Sequence, residues 1–255
     1  MKKQRDEPLI SLITVSYNSS ETILDTFKTV GNQSYGKIEY IVIDGDSSDG
    51  TKELIQNHSK IISKTISEPD KGLYDAMNKG ISMCSGEIIG IINSDDIYTD
   101  NDVIAEVVNA FNLSNADIVY GNLNYVSKNL TKVIRTWKSK PYRKGMFSKG
   151  WQPPHPSFFA RKKVYDEIGS FDLTFDIAAD FEFMFRVLEV NDYRSFFLNK
   201  TLTKMRIGGE SNKSLKNRLK ANYQIRQSFI KHGVYINPII YTIRRWIPKL
   251  LEYIK

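Results

Sequence analysis

The chain has 255 residues, 41% hydrophobic and 25% charged, enough for one large domain or one domain with an appendage. A single cysteine, Cys84, excludes an intrachain disulfide and suits a reducing compartment. The net charge of +7 hides an asymmetry: residues 1–127 carry 10 Lys/Arg against 19 Asp/Glu, and residues 128–255 carry 26 against 10. An acidic first half is unlike a nucleic-acid binder, whereas the basic second half suits phosphates, nucleic acid or an anionic membrane. No run reaches the ~20 apolar residues of a membrane span, and there is no zinc-type Cys/His spacing and no internal repeat.

Residues Met1 to Val15 superficially follow a signal-peptide pattern, but Asp6, Glu7 and Pro8 break the basic region, so Ile10 to Ser16 is expected as a first strand. A helix is expected over Glu21 to Asn32, capped by Ser20. Glu39 to Asp44 reads as a second apolar strand ending in a carboxylate. The turn Ser47-Ser48-Asp49-Gly50 then feeds a helix over Thr51 to Ser59, capped by Asp49 or Ser48. A third strand (Ile61 to Ser67), a loop (Glu68 to Gly72) and a helix (Leu73 to Cys84) lead to Ile-Ile-Gly-Ile-Ile-Asn-Ser-Asp-Asp at Ile88 to Asp96, a buried strand ending in two carboxylates. Short strands alternating with helices imply an α/β fold with a parallel sheet. Right-handed crossovers place Tyr17, Asp44, Asp70 and Asp95 on one edge, at the carboxyl ends of the strands where ligands of such sheets bind.

Asp95 and Asp96 are hard oxygen donors of the kind that hold Mg²⁺ or Mn²⁺, and through it a diphosphate. The same pair also suits a solvated turn capping the next helix. Asp44, followed by Gly45 and small residues, can accept hydrogen bonds from a ribose or a base N–H. Asp70-Lys71-Gly72 is a turn by composition, with Lys71 able to neutralise a phosphate. Tyr40 to Ser48 also fits a haloacid-dehalogenase-type phosphatase motif with Asp44 as nucleophile and Asp46 as acid, although a full βα unit precedes it.

Four segments occur in order: Ile-Thr-Val-Ser-Tyr-Asn, Val-Ile-Asp-Gly-Asp-Ser-Ser-Asp-Gly-Thr, Ser-Glu-Pro-Asp-Lys-Gly-Leu-Tyr-Asp-Ala-Met-Asn-Lys-Gly and Ile-Asn-Ser-Asp-Asp. With His155-Pro-Ser-Phe-Phe-Ala-Arg, Ile168-Gly-Ser-Phe-Asp172 and Ala178-Ala-Asp-Phe-Glu-Phe183, this set resembles glycosyltransferase family 2, the inverting nucleotide-sugar transferases of GT-A (Rossmann-like) fold, over roughly residues 9–210. The resemblance implies a catalytic domain over 1–210, with a nucleotide-sugar half at 9–127 and an acceptor half at 128–210. Thr14 and Tyr17 would surround the base, with Asp44, Asp70 and Lys71 in the same donor pocket. Asn93-Ser94-Asp95 takes the place of the family's DxD, which makes Asp95 the main ligand of a Mn²⁺ or Mg²⁺ ion, with Asp96 beside it. Asn93 and Ala179 stand where carboxylates are common, which leaves a non-catalytic nucleotide-sugar binder as a further reading.

Asp180 aligns with the general base. An inverting transfer needs one carboxylate to take the acceptor hydroxyl's proton, while a metal takes up the charge of the departing diphosphate; as a helix N-cap, Asp180 would be structural. His155, between Pro154 and Pro156, either contacts acceptor or diphosphate or packs in its loop. Trp151 either stacks on an acceptor sugar or anchors the core. Gly208 to Ser211 reads as a loop near the donor. From Phe197 onward there are 13 Lys/Arg against Glu210 and Glu252. A tail over 211–255 is expected, with one helix from Lys213 to Lys231 (Leu215, Leu219 and Tyr223 on one side). A second carries Ile239, Ile243, Trp246/Ile247, Leu250 and Ile254 at helical spacing, kinked or divided at Pro248. Such a tail suits peripheral binding to an anionic inner membrane, or docking of its apolar face on the domain. The family resemblance implies a UDP-sugar donor and a β-linkage in O-antigen or capsule synthesis, with no nucleic-acid partner; membrane contact would add a lipid-linked (undecaprenyl-diphosphate) sugar acceptor at the cytoplasmic face.

Overall fold

The computed structural model describes residues 7–208 and 214–252. Its first half follows the expected alternation: β1 (Ile10–Ser16), α1 (Ile23–Gly31), β2 (Ile38–Asp44), α2 (Thr51–Asn57), β3 (Lys64–Ser67), α3 (Leu73–Met83) and β4 (Ile88–Ile91). These four strands are parallel, in the order β3-β2-β1-β4. Ser16, Asp44 and Ser67 lie side by side at their carboxyl ends. Neighbouring positions of β1 serve opposite faces: Ile13 and Val15 join a core with α3, while Ile10 and Leu12 join one with α1. Both faces are therefore apolar, as a central parallel strand requires. Beyond shifts of one or two residues at element ends, the structure differs from the expectation in β3 and in the helix caps. Ile61 to Ser63 lie outside β3, and Ser20 does not cap α1; its N–H instead donates to Asp49 Oδ2 (2.9 Å). The N-cap of α2 is Gly50 rather than Asp49 or Ser48; Asp49, one residue earlier, accepts from Thr51 N at 3.1 Å.

The second half adds β5 (Ile97–Tyr98), α4 (Val103–Ser114), β6 (Ile118–Val126), β7 (Val133–Trp137), β8 (Phe158–Arg161), α5 (Lys162–Ile168), α6 (Ala179–Phe185), β9 (Ser195–Arg206), α7 (Leu215–Lys231) and α8 (Pro238–Glu252). β8 enters antiparallel between β4 and β6, and β9 runs parallel to β6. The result is a mixed, mostly parallel α/β sheet flanked by helices, with the carboxyl ends of β4 and β6 on one rim. α6 begins at Ala179 and passes after Phe185 into one π-turn, Arg186–Val190.

α7 is not an appendage. Its Ile225 and Phe229 belong to the core that contains Phe181 and Phe185, with Phe229 4.7 Å from the Phe185 ring and 5.3 Å from Tyr241 of α8. Buried Glu182 receives Arg186 Nε at 3.0 Å and lies 2.8 Å from His232 Nε2. The stripe expected to be the apolar face is the exposed one: Leu219 is 71% and Tyr223 62% accessible. The buried face instead combines Ile225 and Phe229 with Gln224 and Ser228, a pattern that apolar spacing does not reveal. α8 is not divided at Pro248. The Gly209 to Ser211 loop, Ile254 and the side chains of Trp246, Ile247 and Leu250 lie outside the described residues.

At the edge opposite the rim, Glu39 accepts from Ser11 Oγ (2.5 Å) and Ser85 N (2.8 Å) and pairs with Lys64 (2.6 Å). Burial pushes its carboxyl up, but Lys64, Ser11 and Ser85 together hold it down at about 2 against the usual 4.5. A depressed folded pKa means stability that is complete above the unfolded value and lost as pH falls through the folded one. In urea unfolding, Glu39→Gln is expected to lie below wild type at neutral pH, and the gap is expected to narrow as pH is lowered from about 5 toward 2. A gap that stays constant over that window would refute the assignment.

Candidate active site

The rim starts at the ends of β1, β2 and β3. Asp44 is fully buried, and its carboxylate accepts from Ser16 Oγ (3.1 Å), Ser47 Oγ (2.5 Å), Ser47 N (2.9 Å) and Ser67 Oγ (2.7 Å). Those four bonds engage both oxygens inside the protein. Asp44 thus frames the rim rather than facing a ligand, and it is unsuited to act as a phosphatase nucleophile. Thr14 is likewise buried, and its Oγ1 accepts from the Tyr40 hydroxyl at 2.8 Å. The surface above belongs to Tyr17, 68% exposed, and to Asp70, whose Oδ1 accepts from Gly72 N at 2.7 Å. Both approach Gly45 so closely that a Cβ there would overlap Asp70 Oδ2 and lie 3.4 Å from the Tyr17 ring. Lys71 is exposed beside them.

The second part is the turn after β4. Asp96 N bonds Asn93 O (3.1 Å), and the Asn93 amide donates to Asp96 Oδ2 (3.1 Å). From α1, Thr26 Oγ1 reaches Asp96 O (2.8 Å), and Ser19 Oγ meets Ser94 Oγ at 2.8 Å. Arg206, buried at the end of β9, donates to Asp95 O (2.5 Å) and Lys128 O (2.9 Å) and pairs with Asp25. Asp95 is half-buried at the rim and Asp96 fully buried below it. Burial, then the adjacent Asp95 charge, pushes the Asp96 carboxyl well above the usual range, against the pull of Asn93 and Arg206. Among the described residues, Asn93 Oδ1 and Asp96 Oδ1 are buried acceptors without a hydrogen-bond partner. Among the described residues no group of three or more His, Cys, Asp or Glu converges as a metal cage. An oxygen-only turn with two orphaned acceptors fits a hard divalent ion that takes the rest of its ligands from phosphate and water.

The third part comes from the second half. Asp180 lies in the first turn of α6, not at its N-cap, which is Ala178. Its Oδ1 accepts from Phe181 N (2.8 Å) and from the hydroxyl of Tyr74 (3.1 Å), on the first turn of α3 just after the Asp70 loop. That bond joins Asp180 to the rim. His155 lies within the field of Asp180, its ring 5.6 Å from Phe171; burial lowers its pKa more than Asp180 raises it, which keeps the imidazole neutral. Trp151 packs among Tyr142 (5.7 Å), Phe147 (5.6 Å) and Tyr120 (5.9 Å), so of its two expected roles the structure displays the core anchor. Tyr74, Thr26 and Arg206 escaped the sequence reading, and none of them carries a local signal.

A rim that presents an exposed aromatic and a carboxylate over a glycine, an oxygen-rich turn and a separate half-buried carboxylate can hold a nucleotide, a metal-bound diphosphate and a group to be deprotonated. The family model "Glycosyl transferase family 2" matches residues 11–169. An uncharacterized glycosyltransferase of Mycobacterium tuberculosis is 36% identical over 181 residues, 70% of this chain and 68% of that protein. A PGL/p-HBAD biosynthesis glycosyltransferase from the same organism is 25% identical over 184 residues, 70% and 69% of the two chains. S. aureus TarS 1–349 in complex with UDP has a TM-score of 0.66 at 15% identity, over 93% of this chain and 69% of that one. Mannosyltransferase PcManGT from Pyrobaculum calidifontis, with GDP-Man and Mn²⁺, gives 0.65 at 19%, over 93% and 68%. At these identities the two structures show the shared GT-A fold.

Because Asp44 ties three strand ends together, Asp44→Asn is expected to lower stability by about 1–3 kcal/mol in urea unfolding, since its amide N–H₂ would face a serine donor. An unchanged midpoint would mean that the carboxylate is not used as described.

Proposed function

The chain belongs to glycosyl transferase family 2, and from that membership and the rim geometry we propose that it moves a hexose from a UDP-sugar to a hydroxyl of a lipid-linked sugar, with inversion to a β-linkage. The observation that carries the mechanism is the half-buried Asp180 carboxylate, tied through Tyr74 to the rim that holds the Asn93–Asp96 turn. Asp180 takes the proton of the acceptor hydroxyl as that oxygen bonds to the anomeric carbon; the carbon's bond to the diphosphate oxygen breaks and the nucleoside diphosphate leaves. Asp95, with Asn93 and Asp96 behind it, is the site for Mg²⁺ or Mn²⁺, which when bound takes up the charge developing on the diphosphate. Tyr17, Asp70 and Lys71 face the nucleotide, over a frame made by Thr14, Asp44 and Ser94. His155, neutral and beside Asp180, serves the acceptor side as a hydrogen-bonding group, with Trp151 supporting its loop from behind.

The acceptor is assigned to a lipid-linked diphosphate sugar of surface-polysaccharide (O-antigen or capsule) assembly from the tail. Leu219, Tyr223, Ile239 and Ile243 are exposed, among Lys216, Arg218, Lys220, Arg226 and Arg244. Apolar side chains within a basic field suit the plane of an anionic bilayer, here the cytoplasmic face of the inner membrane. Among the described residues, no helix is long and apolar enough to cross a membrane.

The test is donor turnover with Mn²⁺, a panel of UDP-sugars plus GDP-mannose, and a synthetic diphospho-lipid GlcNAc or GalNAc acceptor. Transfer from a UDP-sugar is expected, lost with EDTA and reduced at least about 100-fold by Asp180→Asn and by Asp95→Ala. Turnover from GDP-mannose alone would replace the donor assignment. UDP binding with no turnover of any donor, and with Asp180→Asn indistinguishable from wild type, would favour a nucleotide-sugar binder. Co-sedimentation with phosphatidylglycerol vesicles but not phosphatidylcholine vesicles is expected, and equal recovery from both would remove the membrane assignment.

A further inference from the structure

We propose that Tyr74 and Gln224 are positioning residues for the Asp180 carboxylate, which makes α7 part of the catalytic apparatus; the proposal rests on Asp180 being the base. Between Phe175 and α6 the chain crosses a short segment, Asp176 to Ala178, before Asp180. Two buried side chains from distant parts of the chain hold it from either side. Gln224 Oε1 accepts from Ile177 N (3.0 Å) and Ala178 N (3.1 Å), while its Nε2 donates to Asp176 Oδ1 (2.5 Å). The Tyr74 hydroxyl lies 3.0 Å from Ile177 O and 3.1 Å from Asp180 Oδ1 and shares its proton between them.

A glutamine inside a helix–core contact costs desolvation unless its polar atoms find partners. All of the bonds found for Gln224 go to this one segment, so holding the segment accounts for its burial. A phenylalanine would satisfy the core around Tyr74 equally well, so the hydroxyl, too, is explained by what it bonds. The consequence at Asp180 is specific. Oδ1 is fixed by two donors, Phe181 N and Tyr74, whereas no hydrogen bond to Oδ2 occurs among the described residues. The geometry leaves Oδ2 as the oxygen that receives the acceptor's proton. Burial, then the Asp180 charge, raises the Tyr74 pKa, which keeps the phenol protonated and donating.

The test compares Tyr74→Phe and Gln224→Met with wild type, with Asp180→Asn alongside. Steady-state rates are read as UDP release from the donor that turns over, and UDP affinity is read by calorimetry. A carboxylate released from its orientation is expected to lower kcat by about 10- to 100-fold, with donor KM and UDP affinity within about twofold and the thermal midpoint of Tyr74→Phe close to wild type. Wild-type kcat in both variants would overturn the proposal. So would a loss of rate that tracks a loss of UDP affinity and of thermal midpoint together, since that is what a purely structural brace would give. If Asp180→Asn itself turned over normally, the base assignment would fail instead, and the two failures are distinguishable within one experiment.

Discussion

The rim depends first on one buried carboxylate. Asp44 gathers Ser16, Ser47 and Ser67, so the exits of three parallel strands share a single anion. Without that knot the strands would still pair, because their register is set by apolar residues on both faces. Their ends would not be held at one height. Gly45 follows directly, and it is there that Tyr17 and Asp70 come together. A carboxylate that sequence reading gives to the ligand thus works one layer down, shaping the surface on which a ligand sits.

The same division of labour recurs at the other two parts of the site. Asp96 lies under Asp95, and Arg206 reaches from the end of β9 to hold the backbone of the turn. Asp180 accepts from a tyrosine some hundred residues earlier, and the segment just before it is held by a glutamine more than forty residues later. In each case the group at the surface is named by a short motif, and the group that fixes it comes from far along the chain.

This explains what could be read from the sequence. The βαβ half was legible because apolar runs and Gly/Pro/Ser punctuation are local, and β1 was placed to the residue. The crossover rule placed Tyr17, Asp44, Asp70 and Asp95 on one edge, and Ser16, Asp44 and Ser67 do end side by side there, whereas Asp180 was named only by a motif and its tie to Tyr74 was not foreseen. Thr14 and Asp44 were legible as positions but not in direction, because a strand buried on both sides gives no apolar–polar alternation to orient its side chains. The second half was not legible: β6, β8 and β9 are joined by pairings at long sequence separation and carry no turn signature. The buried face of α7 was not legible because Gln224 and Ser228 lie on it, and polar residues are read as solvent-facing unless their distant partners are known.

The strand order has a consequence for how the chain folds as it is made. β8 fills the place between β4 and β6, yet it is the last of the three to be synthesised. β4, Ile-Ile-Gly-Ile, therefore emerges with one edge unpaired and stays so until Phe158–Arg161 leaves the ribosome about seventy residues later, a delay on the order of several seconds. An apolar strand edge open for that long is a template for pairing with another chain. The carboxylates that follow it, Asp95 and Asp96, act in that interval as charged gatekeepers at the end of the strand. The residues proposed to hold the diphosphate of the mature protein would thus first protect the nascent one from its neighbours.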